Sequence, residues 1–327
     1  MLGEIQRGKL RYLDDTVIPS LHRNGAVLIH RDRDGSDSRA KGLHFDVHEM
    51  NVRNARLDKL TTPTLKTNGF ELFDNPLTNS KLNFFDHQKI VVDYYRQCAA
   101  LVADVTGGHA FAFDHNVRSA SGKRKRQKII GGQQVQGPAH AVHGDYTLYS
   151  GPQRVRDLAE PPKGNDTLCS VLAPGESLLT QTLVDRALNT DGRFAIINVW
   201  RNIAAEVVTT DPLALCDGQS VVPNDLVVFE IHYENRIGEN YFAKHSSAHR
   251  WYYYPEMRRE EAVLIKQWDS AGPLAQSGGE KGDSADPQAS CTFSFHSALD
   301  DPSTPPDAPD RWSIEVRCVV LYDHPRN

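Results

Sequence analysis

Short stretches rich in β-branched and aromatic residues follow one another along the chain after position 190, and turn-forming residues separate them. This pattern predicts strands. The five clearest stretches are 194–203, 225–233, 249–255, 261–268 and 313–322. Because many strands occur with few helices among them, the pattern favours a double-sheet jelly roll over a parallel α/β sheet.

Two other stretches space their apolar residues as a helix does. Residues 84–108 carry Ile90, Tyr94 and Cys98 on one helical face and end at a glycine pair, Gly107-Gly108. The spacing predicts a helix with a glycine stop signal. A second helical pattern covers 176–189 and ends before a turn. We expect these helices to brace a mostly β core.

Two segments are poor in apolar residues and predict loops. The basic segment 118–128 is compatible with a nuclear-import signal or an anion site, but so short a run is more often a solvated loop. The segment 269–290 is crowded with Gly, Ser, Asp and Pro. We expect it to be a mobile flap near a substrate, because no apolar anchor is evident in it.

Composition and charge limit the classes of function that the protein can have. The chain has 37 Lys and Arg against 42 Asp and Glu among its 327 residues, which argues against a partner such as nucleic acid or an acidic membrane. The N-terminus lacks the apolar core of a secretory signal, and no apolar run is long enough to span a bilayer. We therefore expect a cytoplasmic protein with a small-molecule ligand. Five widely spaced cysteines without a CxxC indicate reduced, mostly buried thiols.

Candidate chemistry begins with His-x-Asp motifs. On a strand, residues two apart project from the same face, so an imidazole and a carboxylate in this spacing can chelate one metal ion. The motif occurs at His30-Arg31-Asp32, His44-Phe45-Asp46 and His143-Gly144-Asp145. Only the third leads into the β-rich half, where a later strand could add another histidine.

A second histidine and a cation follow near the C-terminus. His296 ends an aromatic strand, a proline-rich segment interrupts it, and a new strand begins near Arg311. If the two strands form a hairpin, His296 and Arg311 lie at the same end of the sheet. Arg311 and Ser313 share a face, and a guanidinium beside a hydroxyl suits one carboxylate. The alternative for Arg311 is a structural ion pair with Asp300, Asp301, Asp307 or Asp310.

In the order His-x-Asp, distal His and Arg-x-Ser, the sequence resembles the iron(II) and 2-oxoglutarate dependent oxygenases. It is most similar to a branch from secondary metabolism that includes the cephamycin hydroxylase component, fungal gibberellin desaturase and a meroterpenoid endoperoxidase. The blocks that carry the resemblance are FDHNVR (113–118), HGDYT (143–147), NVWRNI (198–203), DPLALCD (211–217), HRWYYYPEM (249–257), KQWDS (266–270) and RWSIEVR (311–317). Two positions depart from the expected pattern, Asn202 in place of proline and Trp312 in place of an acidic residue.

The resemblance implies a single domain over 1–327. A helical and mixed support region would cover 1–134, and a double-stranded β-helix core, cupin-like, would cover 135–327 with the loop at 269–290. Fe(II) would bind His143, Asp145 and His296, and 2-oxoglutarate would bind Arg311, Ser313 and Asn198. With O2 as third reactant, C–H abstraction would yield hydroxylation, desaturation or cyclisation, succinate and CO2. Side chains expected near the substrate or the ligands are Tyr146, Trp200, Arg201, His249 and Trp251.

Alternatives stay open. His249 is the rival for the third metal ligand, although its aromatic neighbours are equally typical of a buried structural histidine. The protein could also be a cupin-like dioxygenase or isomerase that does not use 2-oxoglutarate, or a non-catalytic jelly-roll binding protein. A homodimer is a further expectation.

Overall fold

The computed structural model describes residues 5–31, 37–57, 62–163, 166–234 and 236–323. These residues form two β-sheets with helices around them. The strands are β1 (Ile5–Leu13), β2 (Val27–Arg31), β3 (Asp37–Lys41), β4 (Phe45–Asn54), β5 (Phe70–Asp74), β6 (His109–Arg118), β7 (His143–Gly144), β8 (Phe194–Asn202), β9 (Leu213–Cys216), β10 (Leu226–His232), β11 (Ile237–Ala243), β12 (Trp251–Tyr253), β13 (Glu261–Asp269), β14 (His296–Ala298) and β15 (Ser313–Leu321).

The larger sheet has ten strands in the order β1-β4-β12-β9-β14-β7-β11-β10-β2-β3, and the smaller has five in the order β5-β13-β8-β15-β6. The two sheets face each other across an apolar layer that contains Leu215 and Tyr252 from the larger sheet and Trp200, Val263 and Ile265 from the smaller. Burial of these side chains is the main driving force that holds the sheets together. The prediction of a mostly β protein is confirmed.

Helices cover the outside of this core. They are α1 (His87–Lys89), α2 (Tyr95–Thr106), α3 (Ala120–Arg124), α4 (Ser150–Asp157), α5 (Gln181–Leu188) and α6 (Pro273–Gln276), and a π-helical turn, Ile90–Tyr94, joins α1 to α2. Short 3-10 turns occupy Thr167–Ser170, Gly218–Ser220, Pro223–Asp225 and Asp283–Ala285. In the described part of the chain, none of these helices has the length and apolarity needed to cross a membrane.

The first predicted helix is present and packs as its pattern requires. In α2, Tyr95, Cys98 and Val102 are buried and join the apolar cluster that also contains Val316 of the smaller sheet. The helix ends at Gly107, whose φ of 70° lies in the left-handed region that glycine adopts without strain. This helix therefore closes the outer face of the smaller sheet. The second predicted helix corresponds to α5.

The five predicted strands correspond to β8, β10, β12, β13 and β15, and their ends agree within two residues. Residues before 135, for which a helical and mixed support region is predicted, contribute β1 to β6 as well as α1 to α3. Among these strands, β6 pairs directly with β15 in the smaller sheet. The boundary predicted at position 135 therefore does not mark the start of the core strands. In the N-terminal strands, polar residues interrupt the alternation of apolar and polar positions, so the sequence pattern did not reveal these strands.

The basic segment 118–128 contains a short helix that the sequence did not predict. Ser119 caps α3 by accepting a hydrogen bond from the backbone of Gly122. Gly122 lies under Trp312, since a Cβ at this position would come within 2.6 Å of the indole. The charged side chains of Lys123 and Arg124 point to solvent, in agreement with the solvated alternative.

The segment 269–290 is anchored, so the expectation of a flap without apolar anchors is wrong. Leu274 of α6 is only 1% exposed. The carboxylate of Asp283 accepts hydrogen bonds from the backbone and hydroxyl of Thr292, at 2.5 and 2.6 Å, and from the backbone of Leu274 at 3.2 Å. One buried carboxylate therefore ties both ends of the segment together.

We predict that Asp283→Ala lowers the free energy of unfolding by about 1–3 kcal/mol, because it leaves buried donors on Leu274 and Thr292 without an acceptor. Glu280→Ala, at an exposed position of the same segment, should change it by less than about 0.5 kcal/mol. Urea denaturation of both variants measures the difference. Equal stability of the two variants would contradict the anchoring role.

Candidate active site

Three predicted ligands come together on the inner face of the larger sheet. His143 of β7 and His296 of β14 stand directly opposite each other in antiparallel register, and their ring centroids are 4.2 Å apart. Asp145 follows at the end of β7, with Oδ1 3.7 Å from Nε2 of His143. One potential ligand atom from each of the three lies within 4.8 Å of the others, and within the described residues no other group of this kind occurs.

Backbone carbonyls orient both imidazoles. Nδ1 of His143 lies 2.8 Å from the carbonyl oxygen of Ala141, and the ring of His296 is hydrogen-bonded to the carbonyl of Ser294. Because a carbonyl can only accept, Nδ1 of His143 carries the proton and Nε2 of His143 presents its lone pair to the site. Burial lowers the pKa of both histidines to about 4, so both rings are neutral near pH 7. The neutral imidazole is the form that binds a metal ion.

Asp145 presents one oxygen to the histidines, and its other oxygen is fixed by the smaller sheet. Oδ2 accepts a hydrogen bond of 2.9 Å from Nδ2 of Asn198 and one of 3.3 Å from Nε of Arg317. Burial alone would raise the pKa of Asp145, but the charge of Arg317, together with the neighbouring histidines and the hydrogen bond from Asn198, outweighs it and holds the pKa well below its ordinary value. The carboxylate is therefore ionised, with Oδ1 available as a single ligand atom.

Arg317 is a site residue that the sequence analysis missed. Its side chain is 12% exposed, and besides Asp145 it contacts the carboxylate of Asp114 at 3.0 Å. Asp114 in turn accepts a 2.5 Å hydrogen bond from Thr167. The signal was present, since Arg317 continues the period-two spacing of Arg311 and Ser313 onto the same strand face.

Gln267 is the second residue that was missed. The register of β13 against β8 shifts between Lys266 and Trp268, and this β-bulge turns the fully buried Gln267 toward the ligands. Its Oε1 accepts from the backbone of Asp145 at 3.0 Å, and its Nε2 lies 3.4 Å from Nδ1 of His296. Gln267 thus connects the two ligand-bearing strands. A bulge has no clear sequence signal, so this position was not predictable.

Unpaired polar atoms mark the predicted cosubstrate anchors. Four buried side-chain nitrogen or oxygen atoms have no hydrogen-bond partner within the described structure, and three of them belong to Asn198 (Oδ1), Arg311 (Nε) and Ser313 (Oγ). The fourth is Nε of Arg259. Buried polar atoms without partners are rare in folded proteins and call for an explanation such as a missing ligand. Three of the four coincide with residues selected from the sequence alone.

Arg311 has no carboxylate partner that would support the structural alternative. Its guanidinium donates to the carbonyl of Asp211, and its carbon Cζ lies 5.7 Å from the ring centre of Trp200. No ion pair within 4.0 Å joins Arg311 to an acidic side chain of the described residues. Burial lowers the pKa of Arg311 to about 10, so the guanidinium is still charged near pH 7. The inner face thus holds a buried, unpaired cation.

Three of the residues expected near the substrate lie elsewhere. Arg201 projects from the opposite face of β8 and donates to Tyr94 at 2.9 Å and to Asn75 at 2.7 Å. His249 lies between Asp225 and Tyr12, at 3.1 Å from each, and Trp251 donates to the same Tyr12 at 2.8 Å. Their hydrogen-bonding capacity is used in structural contacts, so the structure does not bring them to the triad.

The remaining candidates divide between the site and the rest of the chain. Trp200 lies on the inner face beside Arg311, and Tyr146 follows Asp145 directly and is 9% exposed. His44 and Asp46 belong to no cluster with a third ligand among the described residues. The motif that begins at His30 includes Asp32, which lies outside the described residues.

Comparisons with known proteins agree with this arrangement. A family model described as "Oxidoreductase/YMDC permease-like domain" matches residues 13–171 and 174–321. The chain is 30% identical over 285 residues to the "Fe(II)/2-oxoglutarate-dependent dioxygenase nvfI" of Aspergillus novofumigatus, which covers 85% of each protein. It is 39% identical over 196 residues to an "Uncharacterized protein in dcmA 3'region" of Methylophilus leisingeri, which covers 60% of this chain and 89% of that protein.

The fold is also similar to a solved structure. The "iron and alpha-ketoglutarate-dependent endoperoxidase NvfI" superposes with a TM-score of 0.71 over 98% of both chains, at 22% identity. This similarity confirms the predicted jelly-roll fold. Together with the 30% identity to a dioxygenase over most of its length, it shows that the chain belongs to the Fe(II)/2-oxoglutarate-dependent dioxygenases, in the branch found in fungal secondary metabolism.

Proposed function

We propose that this enzyme oxidises a small natural product at a C–H bond, with Fe(II), 2-oxoglutarate and O2, and releases succinate and CO2. The observation that carries the proposal is the combination of a buried His-Asp-His triad with three unpaired buried polar atoms on the facing sheet. A triad alone fits several metal enzymes. The unpaired cation and hydroxyl fit a carboxylate-bearing cosubstrate, which disfavours a cupin-like enzyme that does not use 2-oxoglutarate.

The donor set suits iron. Nε2 of His143, Nε2 of His296 and Oδ1 of Asp145 would hold the ion, since two neutral imidazoles and one carboxylate oxygen are the ligands of non-haem Fe(II) oxygenases. When bound, iron supplies the activation of O2 that no side chain provides. The protein residues fix the ligand directions. The carbonyls of Ala141 and Ser294 orient the rings, and Arg317 holds the oxygen of Asp145 that does not bind the metal.

Arg311 and Ser313 would bind the far carboxylate of 2-oxoglutarate. Nε of Arg311 is a free donor, and the hydroxyl of Ser313, two residues on, is a second. A charge-assisted hydrogen bond in a buried setting is stronger than one in water. The pair therefore selects an acidic cosubstrate and draws it toward the triad.

We assign Asn198 a different role from the one expected. Its Nδ2 already donates to Asp145, and its unpaired atom is an oxygen that can only accept. An acceptor repels a carboxylate. Asn198 therefore positions Asp145, and its free oxygen would accept from a water molecule or a substrate hydroxyl.

The substrate side of the site is aromatic. Phe242 of β11 stands directly opposite His143 on the neighbouring strand, and its ring stacks on Phe229 at 4.6 Å. Phe45 meets the ring of Phe242 edge to face at 5.4 Å. Such a wall favours an apolar substrate, in which the orientation of one C–H bond depends on shape more than on polar contacts. Trp200 and Tyr146 would complete the lining near the triad.

The homodimer and the cytoplasmic location expected from the sequence stay predictions, as does the absence of a nucleic-acid partner. Sedimentation of the purified protein tests the first. Fractionation of the cells that make it tests the second, and a DNA-binding assay at low salt tests the third.

Turnover tests the proposed function directly. We predict that the purified protein forms succinate when it is supplied with Fe(II), 2-oxoglutarate and O2, slowly even without the prime substrate. The His143→Ala/Asp145→Ala double variant should form none above the iron-only background. Equal amounts of succinate from the wild type and the double variant would refute the proposal.

Metal content should separate the two candidate histidines. His296→Ala leaves two protein ligands, which hold a labile divalent ion poorly, so we expect it to lose Fe(II). His249→Ala removes a contact to Asp225 and Tyr12 and should retain iron. Metal analysis after anaerobic desalting compares them. Retention in His296→Ala together with loss in His249→Ala would overturn the assignment.

Arg311→Ala should weaken 2-oxoglutarate binding by about 2–5 kcal/mol, because a buried carboxylate loses its charged partner. Iron content should not change. Arg7→Ala, whose side chain is 80% exposed, is the matched control and should bind 2-oxoglutarate as the wild type does. Anaerobic titration of the Fe(II) charge-transfer absorption measures both. Unchanged affinity in Arg311→Ala would assign this arginine a structural role.

A further inference from the structure

The histidine of the first His-x-Asp motif, His30, lies beside a second histidine far from the triad in sequence. His30 belongs to β2 and His232 ends β10, and the parallel pairing of these strands sets the two residues side by side. Their ring centroids are 5.0 Å apart, and the ring planes are inclined by 41°. Both side chains are partly exposed. The function described so far uses neither imidazole.

A buried carboxylate orients the ring of His232. Oε2 of Glu230 lies 2.8 Å from Nε2 of His232, and Oε1 accepts a 2.7 Å hydrogen bond from the backbone of Gly25. Burial alone would raise the pKa of Glu230, but the hydrogen bonds from Gly25 and His232 outweigh it and lower the pKa. Because an ionised carboxylate can only accept, Nε2 of His232 carries the proton and Nδ1 keeps its lone pair.

This arrangement is typical of a histidine that binds a metal ion, since such a histidine donates its other ring N–H to a carboxylate. The spacing of the two rings agrees with that interpretation. In a tetrahedral site with Zn–N bonds of about 2.0–2.1 Å, the centres of two bound imidazole rings lie about 5 Å apart. The observed 5.0 Å between His30 and His232 matches this value.

A second pair of histidines shows the contrast. The rings of His48 and His245 stack 3.8 Å apart and are parallel within 7°. Lone pairs of parallel stacked rings run side by side and do not converge on one point. Among the described residues, no ion pair joins either ring to a carboxylate. This pair therefore serves as a matched control for the first.

We infer that His30 and His232 bind a Zn²⁺ ion on the outer surface of the larger sheet, with Glu230 as the positioning residue and water in the remaining positions. The site is separate from the His-Asp-His triad and does not depend on the proposed function. Affinity of nitrogen ligands for divalent ions rises from Fe²⁺ to Zn²⁺, so a pair of imidazoles that holds Fe(II) poorly still binds zinc.

The ion would brace the strand that carries part of the substrate wall. Side chains alternate along β10, so Glu230 and His232 point away from Phe229, whose ring stacks on Phe242. Zinc bound to both histidines joins β2 to β10 on the other face. Because the ion binds the folded chain, it should raise the midpoint of thermal unfolding.

Zinc titration at equilibrium, in competition with a chromophoric indicator, tests the inference. The metal-free wild type should bind one Zn²⁺ at the triad and one at the new site. His30→Ala and His232→Ala should each lose the second ion, and His48→Ala should keep both. The His143→Ala/Asp145→Ala variant should keep only the new site, and His30→Ala added to it should abolish binding.

Glu230→Gln tests the orienting role, because it keeps the shape of the side chain and removes the charge. Loss of such a carboxylate costs about 10–100-fold in metal affinity, so the dissociation constant of the new site should rise by that factor. Zinc should raise the unfolding midpoint of the His143→Ala/Asp145→Ala variant, and adding His30→Ala should remove this increase. If the double variant does not fold, the comparison of wild type with His30→Ala decides.

Three results would overturn the inference. The first is an undiminished number of zinc ions in both His30→Ala and His232→Ala. The second is unchanged affinity in Glu230→Gln, since the carboxylate distinguishes this pair from other surface histidines. The third is an equal loss of zinc in His48→Ala, which indicates an adventitious ion only. A single ion in the wild type that His30→Ala abolishes would support this site and count against metal binding at the triad.

Discussion

The antiparallel register that sets His143 against His296 is the constraint on which the rest of the site depends. A shift of one residue in either strand would send one imidazole to the opposite face of the sheet. The same register carries Asp145 to the end of β7, within reach of the facing sheet. The three potential ligands therefore converge because of strand pairing, and hydrogen bonds to backbone carbonyls then fix the direction of each ring.

The smaller sheet supplies the second requirement of the site, which is a set of charged side chains that interact with Asp145. Asp145 is buried as an anion because Arg317 contacts it, and Arg317 is in turn contacted by Asp114. Breaking a buried network of this kind by removing one partner costs much more than an exposed ion pair contributes. Arg311 lies on the same side of the core, and no carboxylate of the described residues forms an ion pair with it. Paired charges thus position Asp145 beside the two histidines, whereas the unpaired guanidinium of Arg311 favours the binding of an anionic ligand.

Period-two spacing made much of this site predictable. It placed His143 with Asp145 and Arg311 with Ser313, and the hairpin argument added His296. Its position before the β-rich half singled out one His-x-Asp motif of three, and the resemblance to a known family agreed with that choice. Arg317 continues the same period-two spacing, but the register that brings it to Asp145 joins distant strands and was not predictable, so the spacing alone gave it no role. Gln267 depends on a bulge that arises only when β13 pairs with β8. The structure places His249 and Arg201 in contacts away from the triad, because a buried polar contact looks the same in sequence as a functional one.

A crystal structure of the protein with Fe(II) and 2-oxoglutarate, grown without oxygen, tests the central claim most directly. The account predicts one metal ion on Nε2 of His143, Oδ1 of Asp145 and Nε2 of His296. It also predicts a five-carbon dicarboxylate that extends from the metal to Arg311 and Ser313. A metal bound by other residues, or a dicarboxylate that leaves Arg311 and Ser313 unpaired, would contradict it.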